Sequence, residues 1–318
     1  MSDKLTNRAV ALGVFLVTAG VYLKTLSTTV VFWDVGEFCA AARYLQVPHP
    51  PGAPLFIFLA RIASLIPYRD DIAARMHAVS AIGSALGIMF LYLVSVKFIE
   101  MFRGKAQEVT DKILIYGASA VGALALAFST TYWDNAIEAE VYGMGMFFAS
   151  FCLWLALRWL EHADEPHNEK YLLMIAYVLG LSTGVHILAL LATIPILLIV
   201  YFRKYEFSRR SFIRFSLMAV GIFFVIYPGI VQFLPGLLDG DFKGMKSEWF
   251  PFVPPLLIAA AAYGAYRSYK SHQKMLHIAC LSFLLIVIGY TTYTEVIIRS
   301  NVDNLAMKEN NPNNLSRL

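Results

Sequence analysis

Charge is what this sequence has least of. Of its 318 residues only 15% are charged and 58% are hydrophobic, and mean hydropathy is +0.60. Soluble domains carry about 25% charged residues, so a soluble fold of this length is excluded. Cysteine is also scarce. Cys39, Cys152 and Cys280 are too far apart for a zinc site, and two of them lie inside apolar runs, which argues against a disulfide framework. No phosphate-cradling glycine loop, dinucleotide fingerprint or His-Glu-x-x-His is present, so nucleotide-driven and zinc-based chemistry lack their usual recognition elements. The net charge of +4 is dispersed over short loops and offers no basic stripe for nucleic acid. The short alternating strands of a membrane β-barrel are missing as well.

What is present is a succession of long apolar runs. At roughly 20 residues per crossing they give about nine transmembrane helices, an all-α polytopic membrane protein. The expected spans are about 8–28, 72–98, 112–128, a fourth ending near Leu160, then 212–234, 251–268 and 275–298. Between the fourth and these last three, the run Tyr171–Phe202 exceeds one crossing and is interrupted by Gly180, Ser182, Thr183, Gly184 and Pro195. It reads as two short helices that turn back at Ser182–His186, with one tilted helix as the alternative. The first run is too long for a signal peptide and is expected to stay as an anchor. Residues 1–298 thus form a transmembrane domain with a first outer loop at 29–71, and 299–318 a polar tail. Within that loop, 55–62 is apolar but too short to cross, which predicts an interfacial helix with Arg61 on its polar side.

Lys and Arg fix the expected orientation. The loops at 97–112, 158–170, 203–214 and 266–274 carry most of them, whereas 129–140 has none. The positive-inside rule then puts the N-terminus in the cytoplasm and 29–71, 129–140, 182–186 and the tail outside. Gly83 and Gly87 form a small-xxx-small pair in the second span. This spacing suits close helix packing or, alternatively, the face of a homodimer.

The polar residues concentrate on the outer side. Asp34 and Glu37 are three apart, so on a helix they share a face and can address one bound group. The plainer reading makes Asp34 the N-cap of a short helix. Glu138 and Glu140 lie in the 129–140 segment with Tyr142 just beyond, and Glu138 and Tyr142, four apart, would share a helical face. His49 precedes a proline-glycine turn, and His186 sits at the glycine break. Arg75 and His77 begin the second span, where Arg suits either interface anchoring or a lipid phosphate.

Trp33-Asp34-x-Gly36-Glu37-Phe38 and His49-Pro50-Pro51-Gly52-x-Pro54-Leu55 resemble the opening signature of the family once called domain of unknown function 2723, which includes the transmembrane-protein-260 type of protein O-mannosyltransferase. Ala139-Glu140-Val141-Tyr142, Gly180-Leu181-Ser182-x-Gly184-Val185-His186, Arg299-Ser300 and Glu309-Asn310-Asn311-Pro312 extend the likeness. The resemblance implies a GT-C-like glycosyltransferase that takes a mannose-like hexose from a polyprenyl-phosphate lipid and passes it, with inversion, to a Ser or Thr hydroxyl of an exported protein. It places the enzyme in a membrane, the bacterial inner membrane being expected, and makes an acid of the first outer loop the catalytic base. That base maps onto Asp34, with Glu37 beside it. Arg61 and Arg75 would then face the donor phosphate, while His49, Glu138, Glu140, Tyr142 and His186 position sugar and acceptor. No metal or other cofactor is required by this scheme. Similar proteins continue past the Asn-rich tail, so a short member, a split gene and a fragment all stay open. Two other classes remain: a lipid or solute carrier, which an internal repeat or a mid-span acid would favour, and a non-catalytic scaffold of an export or assembly machine.

Overall fold

A computed structural model describes residues 3–318, which are almost entirely helical. The helices are α1 (Asp3–Lys24), α2 (Val35–Tyr44), α3 (Pro54–Leu65), α4 (Ile72–Arg103), α5 (Val109–Ala127), α6 (Thr130–Ala136), α7 (Tyr142–Glu161), α8 (Glu169–Ser182), α9 (Thr193–Lys204), α10 (Arg209–Leu238), α11 (Val253–Lys270) and α12 (Lys274–Ser300). Seven helical stretches among the described residues are long and apolar enough to cross a membrane: α1, α4, α5, α7, Ile187–Lys204, α10 and α12. The protein is therefore an integral membrane protein of the all-α class. The two further expected spans are helical too, α8 with 14 residues and α11 with 18.

The chain forms two compact units. The first comprises the residues up to Leu45 together with Phe56–Leu157, the second Gln46–Leu55 with Arg158–Leu318. In the first unit, α1, α4 and α5 share a core of Tyr22, Ala81, Ala85, Ile88, Tyr92, Ala123 and Ala127. Small residues let these helices approach closely, as membrane helices do when lipid gives them no hydrophobic reason to associate. Gly83 and Gly87 serve this purpose against α7. A Cβ on Gly83 would meet Met144 at 3.3 Å, and one on Gly87 would lie 3.2 Å from the Phe147 amide. The glycine pair is thus covered inside the chain, which removes it as a dimer face.

In the second unit α8 and α12 cross at Gly180 and Gly289. A Cβ at Gly180 would stand 2.3 Å from the Ile286 carbonyl oxygen, and one at Gly289 2.4 Å from the Leu181 amide. The run from Tyr171 does break where the glycines are: α8 stops at Ser182, and a 3-10 turn, Ile187–Ala192, leads into α9. The chain turns back there, because Arg203 at the end of α9 pairs with Asp164, five residues before α8 begins. Pro228, which has no amide proton for the helical ladder, sits in a π-helical stretch of α10, Val225–Phe233. A small hairpin, β1 (Asp241–Phe242) and β2 (Met245–Lys246), follows α10. Strands of two residues are too short to show an alternating pattern in the sequence, although Gly240, Asp241 and Gly244 are turn formers.

Candidate functional site

The first unit gathers its polar segments at the end where α1 finishes. The amide of Ser27 donates to Ile137 O at 3.2 Å, Trp133 Nε1 donates to Thr25 Oγ1 at 3.1 Å, and His77 Nε2 donates to Thr29 O at 3.1 Å. Arg69 Nη2 adds a bond of 2.7 Å to Leu23 O. The chain leaving α1 is therefore stitched both to the 129–140 segment and to the head of α4. Asp71 caps α4, accepting from the amides of Ala73 and Ala74 at 2.8 and 3.4 Å.

Asp34 and Glu37 sit at the head of α2. Val35, Phe38, Cys39, Ala41 and Ala42 form the buried face of that helix, and the Phe38 and Phe56 rings meet edge to face with centroids 5.7 Å apart. Asp34 occupies the N-cap position, yet its side chain makes no capping hydrogen bond. Glu37 lies in the first turn, where a helix favours negative charge. Trp33, immediately before, has φ +65° and is 93% exposed. Burial, followed by the Asp71 charge, pushes the Cys39 thiol up to about 12. Cys39 therefore stays protonated and is no nucleophile.

Arg61 and Arg75 are held by main-chain oxygens, a role the sequence did not reveal. Arg61 Nη1 donates to the carbonyl of Arg43, in the last turn of α2. Arg75 donates through Nε to Arg69 O and through Nη1 to Ser64 O, the latter at 3.2 Å in the last turn of α3. Cations there satisfy the carbonyls that a helix end leaves without partners. Each guanidinium has five N–H donors, so these bonds use only part of either fork.

The 129–140 segment contains the helix α6 and then bends. Glu138 and Tyr142 do not share a helical face, since Ile137–Val141 is not helical. The Glu140 amide bonds Glu138 O at 2.8 Å and, across to α4, Ser80 Oγ at 3.0 Å, which takes it out of helical register. Ser80 Oγ also donates to Glu140 O at 2.7 Å. Glu140 is buried, whereas Tyr142 is 45% exposed at the start of α7. Burial raises the Glu138 carboxyl above its ordinary value, and the Asp134 charge adds to the effect.

In the second unit His49 opens a tight turn in which the Gly52 amide returns to His49 O at 2.9 Å, with Pro50 and Pro51 between them. Gly52 has φ +87°, a conformation that favours glycine. The turn is held from both sides. Val47 pairs in parallel with Lys308 of the tail, and the Leu55 amide donates to Gly184 O at 2.8 Å. Tyr293 OH donates to Thr183 O at 2.9 Å. The 46–55 segment, the 182–186 turn and the tail are thus brought together at one end of this unit. His186 Nδ1 accepts from the Leu188 amide at 3.1 Å, capping the 3-10 turn. Burial lowers its pKa, so the ring is neutral at pH 7 and carries its proton on Nε2.

Two residues that matter here escaped the sequence reading. Ser80 lies inside an apolar span and gives no signal. Glu295 does give one, an acid near the end of an apolar run. One of its carboxylate oxygens is buried with no hydrogen-bond partner.

The profile of the Protein O-mannosyl-transferase TMEM260 N-terminal domain matches residues 34–209, a stretch that begins on Asp34. The chain belongs to this family. All nine of the expected site residues, Asp34 through His186, fall within the matched stretch. The chain is similar to Protein O-mannosyl-transferase TMEM260 of Mus musculus, 28% identical over 232 residues that cover 70% of this chain and 30% of the mouse protein. It is also similar to Protein O-mannosyl-transferase tmem260 of Dictyostelium discoideum, 26% identical over 153 residues, 48% of this chain and 17% of that one. The matched segment thus spans less than a third of each relative's length. No solved structure matches the chain.

Proposed function

We propose that this protein is a membrane glycosyltransferase that moves a mannose-like hexose from a polyprenyl-phosphate lipid to a Ser or Thr hydroxyl of an exported protein. The observation that carries the reading is Asp34. It lies within the family-matched stretch and at a helix N-cap position, yet its carboxylate is not used as the cap. The plainer reading of Asp34 as a capping residue loses its main support.

In this scheme Asp34 takes the proton of the acceptor hydroxyl as its oxygen attacks the anomeric carbon. The bond from that carbon to the phosphate oxygen breaks, and polyprenyl phosphate departs with the electron pair. Attack opposite the leaving group inverts the anomeric centre. A general base of this kind contributes typically about 10²–10⁴-fold. Glu37 orients Asp34 or the acceptor. The remaining guanidinium donors of Arg61 and Arg75 meet the charge that develops on the phosphate. Glu138, Glu140 and Tyr142 are assigned to positioning sugar and acceptor. The N-terminus is cytoplasmic and the 29–71 loop extracytoplasmic, in a bacterial inner membrane.

The test is turnover of a radiolabelled polyprenyl-phosphate mannose by the purified full chain, with Ser- and Thr-containing peptides as acceptors. Transfer by wild type and its loss in Asp34→Asn support the reading. Transfer that survives Asp34→Asn removes the base. No transfer by wild type with any donor favours a non-catalytic membrane subunit.

A further inference from the structure

The second unit has a half-open cavity of about 1040 Å³ among α8, α9, α10 and α12. Its wall is largely aliphatic, with Ile175, Leu179, Ile196, Val200, Ile222 and Ile278 among the lining side chains. Its rim carries three cations, Arg203, Lys204 and Lys274, and one carboxylate, Asp164. Arg203 is paired with Asp164, and Lys274 with Glu169 at 2.9 Å. Lys204 Nζ, by contrast, donates only to the sulfur of Met275 at 3.7 Å, and no carboxylate among the described residues lies within ion-pair distance. Arg209 and Arg210 begin α10 at the same end, and Arg267 and Lys270 finish α11 there.

Depth gives a second constraint. The lining runs along α9 from Lys204 back to Thr193, eleven residues. At 1.5 Å per residue that is about 16 Å, half of a bilayer hydrocarbon core of about 30 Å. Thr193, at the deep end, is buried, and its hydroxyl has no hydrogen-bond partner. Protein interiors leave few voids larger than a water molecule, and an aliphatic cavity open to a membrane fills with hydrocarbon. A chain one leaflet long with an anionic head at its outer end satisfies both the wall and the rim. Basic pockets between membrane helices on the cytoplasmic side hold anionic head groups in this way.

We infer that this cavity binds one anionic phospholipid from the leaflet facing the Arg203–Lys204 end, with an acyl chain inside and its phosphate at Lys204 and Lys274. The inference is independent of the catalytic reading. It concerns a lipid that stays bound, not the sugar donor.

Native mass spectrometry of the full chain, released from nanodiscs holding equal dioleoylphosphatidylglycerol and dioleoylphosphatidylcholine, tests it. Wild type should retain one phosphatidylglycerol in preference to phosphatidylcholine. Lys204→Glu should lower that preference by roughly tenfold or more, as expected for reversing one charge near a head group. Ala279→Trp, which fills the cavity from an exposed lining position, should abolish retention, and Lys243→Glu on the distant hairpin should change nothing. Gel filtration identifies folded variants, so if Ala279→Trp misfolds, Lys204→Glu still decides. Equal retention of the two phospholipids, or unchanged preference in Lys204→Glu, overturns the inference. So does retention of added polyprenyl phosphate to the exclusion of phosphatidylglycerol.

Discussion

Ser80 Oγ grips both backbone groups of one residue, donating to the Glu140 carbonyl at 2.7 Å and accepting from the Glu140 amide at 3.0 Å. One turn earlier on α4, His77 holds Thr29. Helix α4 is therefore the post to which both acidic segments of the first unit are tied, and Ser80 sets where Glu140 stands. Ser80→Ala keeps the helix but leaves the buried Glu140 carbonyl without this donor. It should cost about 1–3 kcal/mol, the penalty for an unsatisfied buried polar group, and lower transfer by displacing Glu140. Thermal unfolding in detergent and turnover, measured on one preparation, read the two effects.

Asp34→Asn should separate stability from catalysis. Asn keeps the size of Asp and most of its hydrogen-bonding capacity and is as good an N-cap, so the melting temperature should change little. Transfer should fall at least about 10²-fold, whereas Glu37→Gln should be milder. A clear drop in melting temperature would return Asp34 to a structural role.

Arg61 and Arg75 carry a prediction that the sequence alone would have stated differently. Because each donates to backbone carbonyls at helix ends, Arg→Gln at either position should destabilise the protein, by about 1.5–3 kcal/mol for a lost charged hydrogen bond. The same change at exposed Arg210, at the start of α10, should not. Unfolding curves of the three variants decide. Equal stability throughout would mean these bonds contribute nothing.

These arginines also mark where sequence reading stops. Apolar length revealed the spans because a bilayer demands it, and the glycines at 180–184 revealed the break after Ser182. The acceptors of Arg61 and Arg75 are main-chain oxygens, which have no letter in a sequence. The bend at Ile137–Val141 was illegible for the same reason: its cause, Ser80, is sixty residues away and looks like any small residue of a membrane helix. Asp34 and Glu37 were legible as a pair. What the sequence could not say is that the N-cap position is occupied without the side chain capping.

His186 should make the second unit sensitive to acid. Burial depresses its pKa, so the folded chain prefers the neutral ring. Its stabilising contribution is present above the ordinary histidine value of about 6.5 and is lost as pH falls below it, because the unfolded chain takes up the proton first. His186→Gln still offers an acceptor to the Leu188 amide but does not titrate. Between pH 7.5 and pH 5.5 the wild-type melting temperature should fall further than that of His186→Gln. Parallel curves would remove the assignment.

Gly180→Ala is the sharpest test of packing. Its new methyl would lie 2.3 Å from the Ile286 carbonyl and 2.8 Å from the Ile286 Cα, atoms of backbone that cannot rotate away. The variant should lose about 1–3 kcal/mol or more. Gly13→Ala, with nothing within 4 Å of the added carbon, should be neutral. Both are read by thermal unfolding of the purified variants.

The parallel pairing of Val47 with Lys308 joins residues far apart in sequence. It has a consequence for the order of events during synthesis. The turn that begins at His49 emerges early, but its partners, Gly184 and then Met307–Glu309, are made much later. Contacts this distant in sequence close slowly, since the loop entropy is lost before the contact returns anything. The second unit therefore cannot be finished helix by helix as the chain enters the membrane. Its early segment has to wait for these contacts until residues 307–309 have been made.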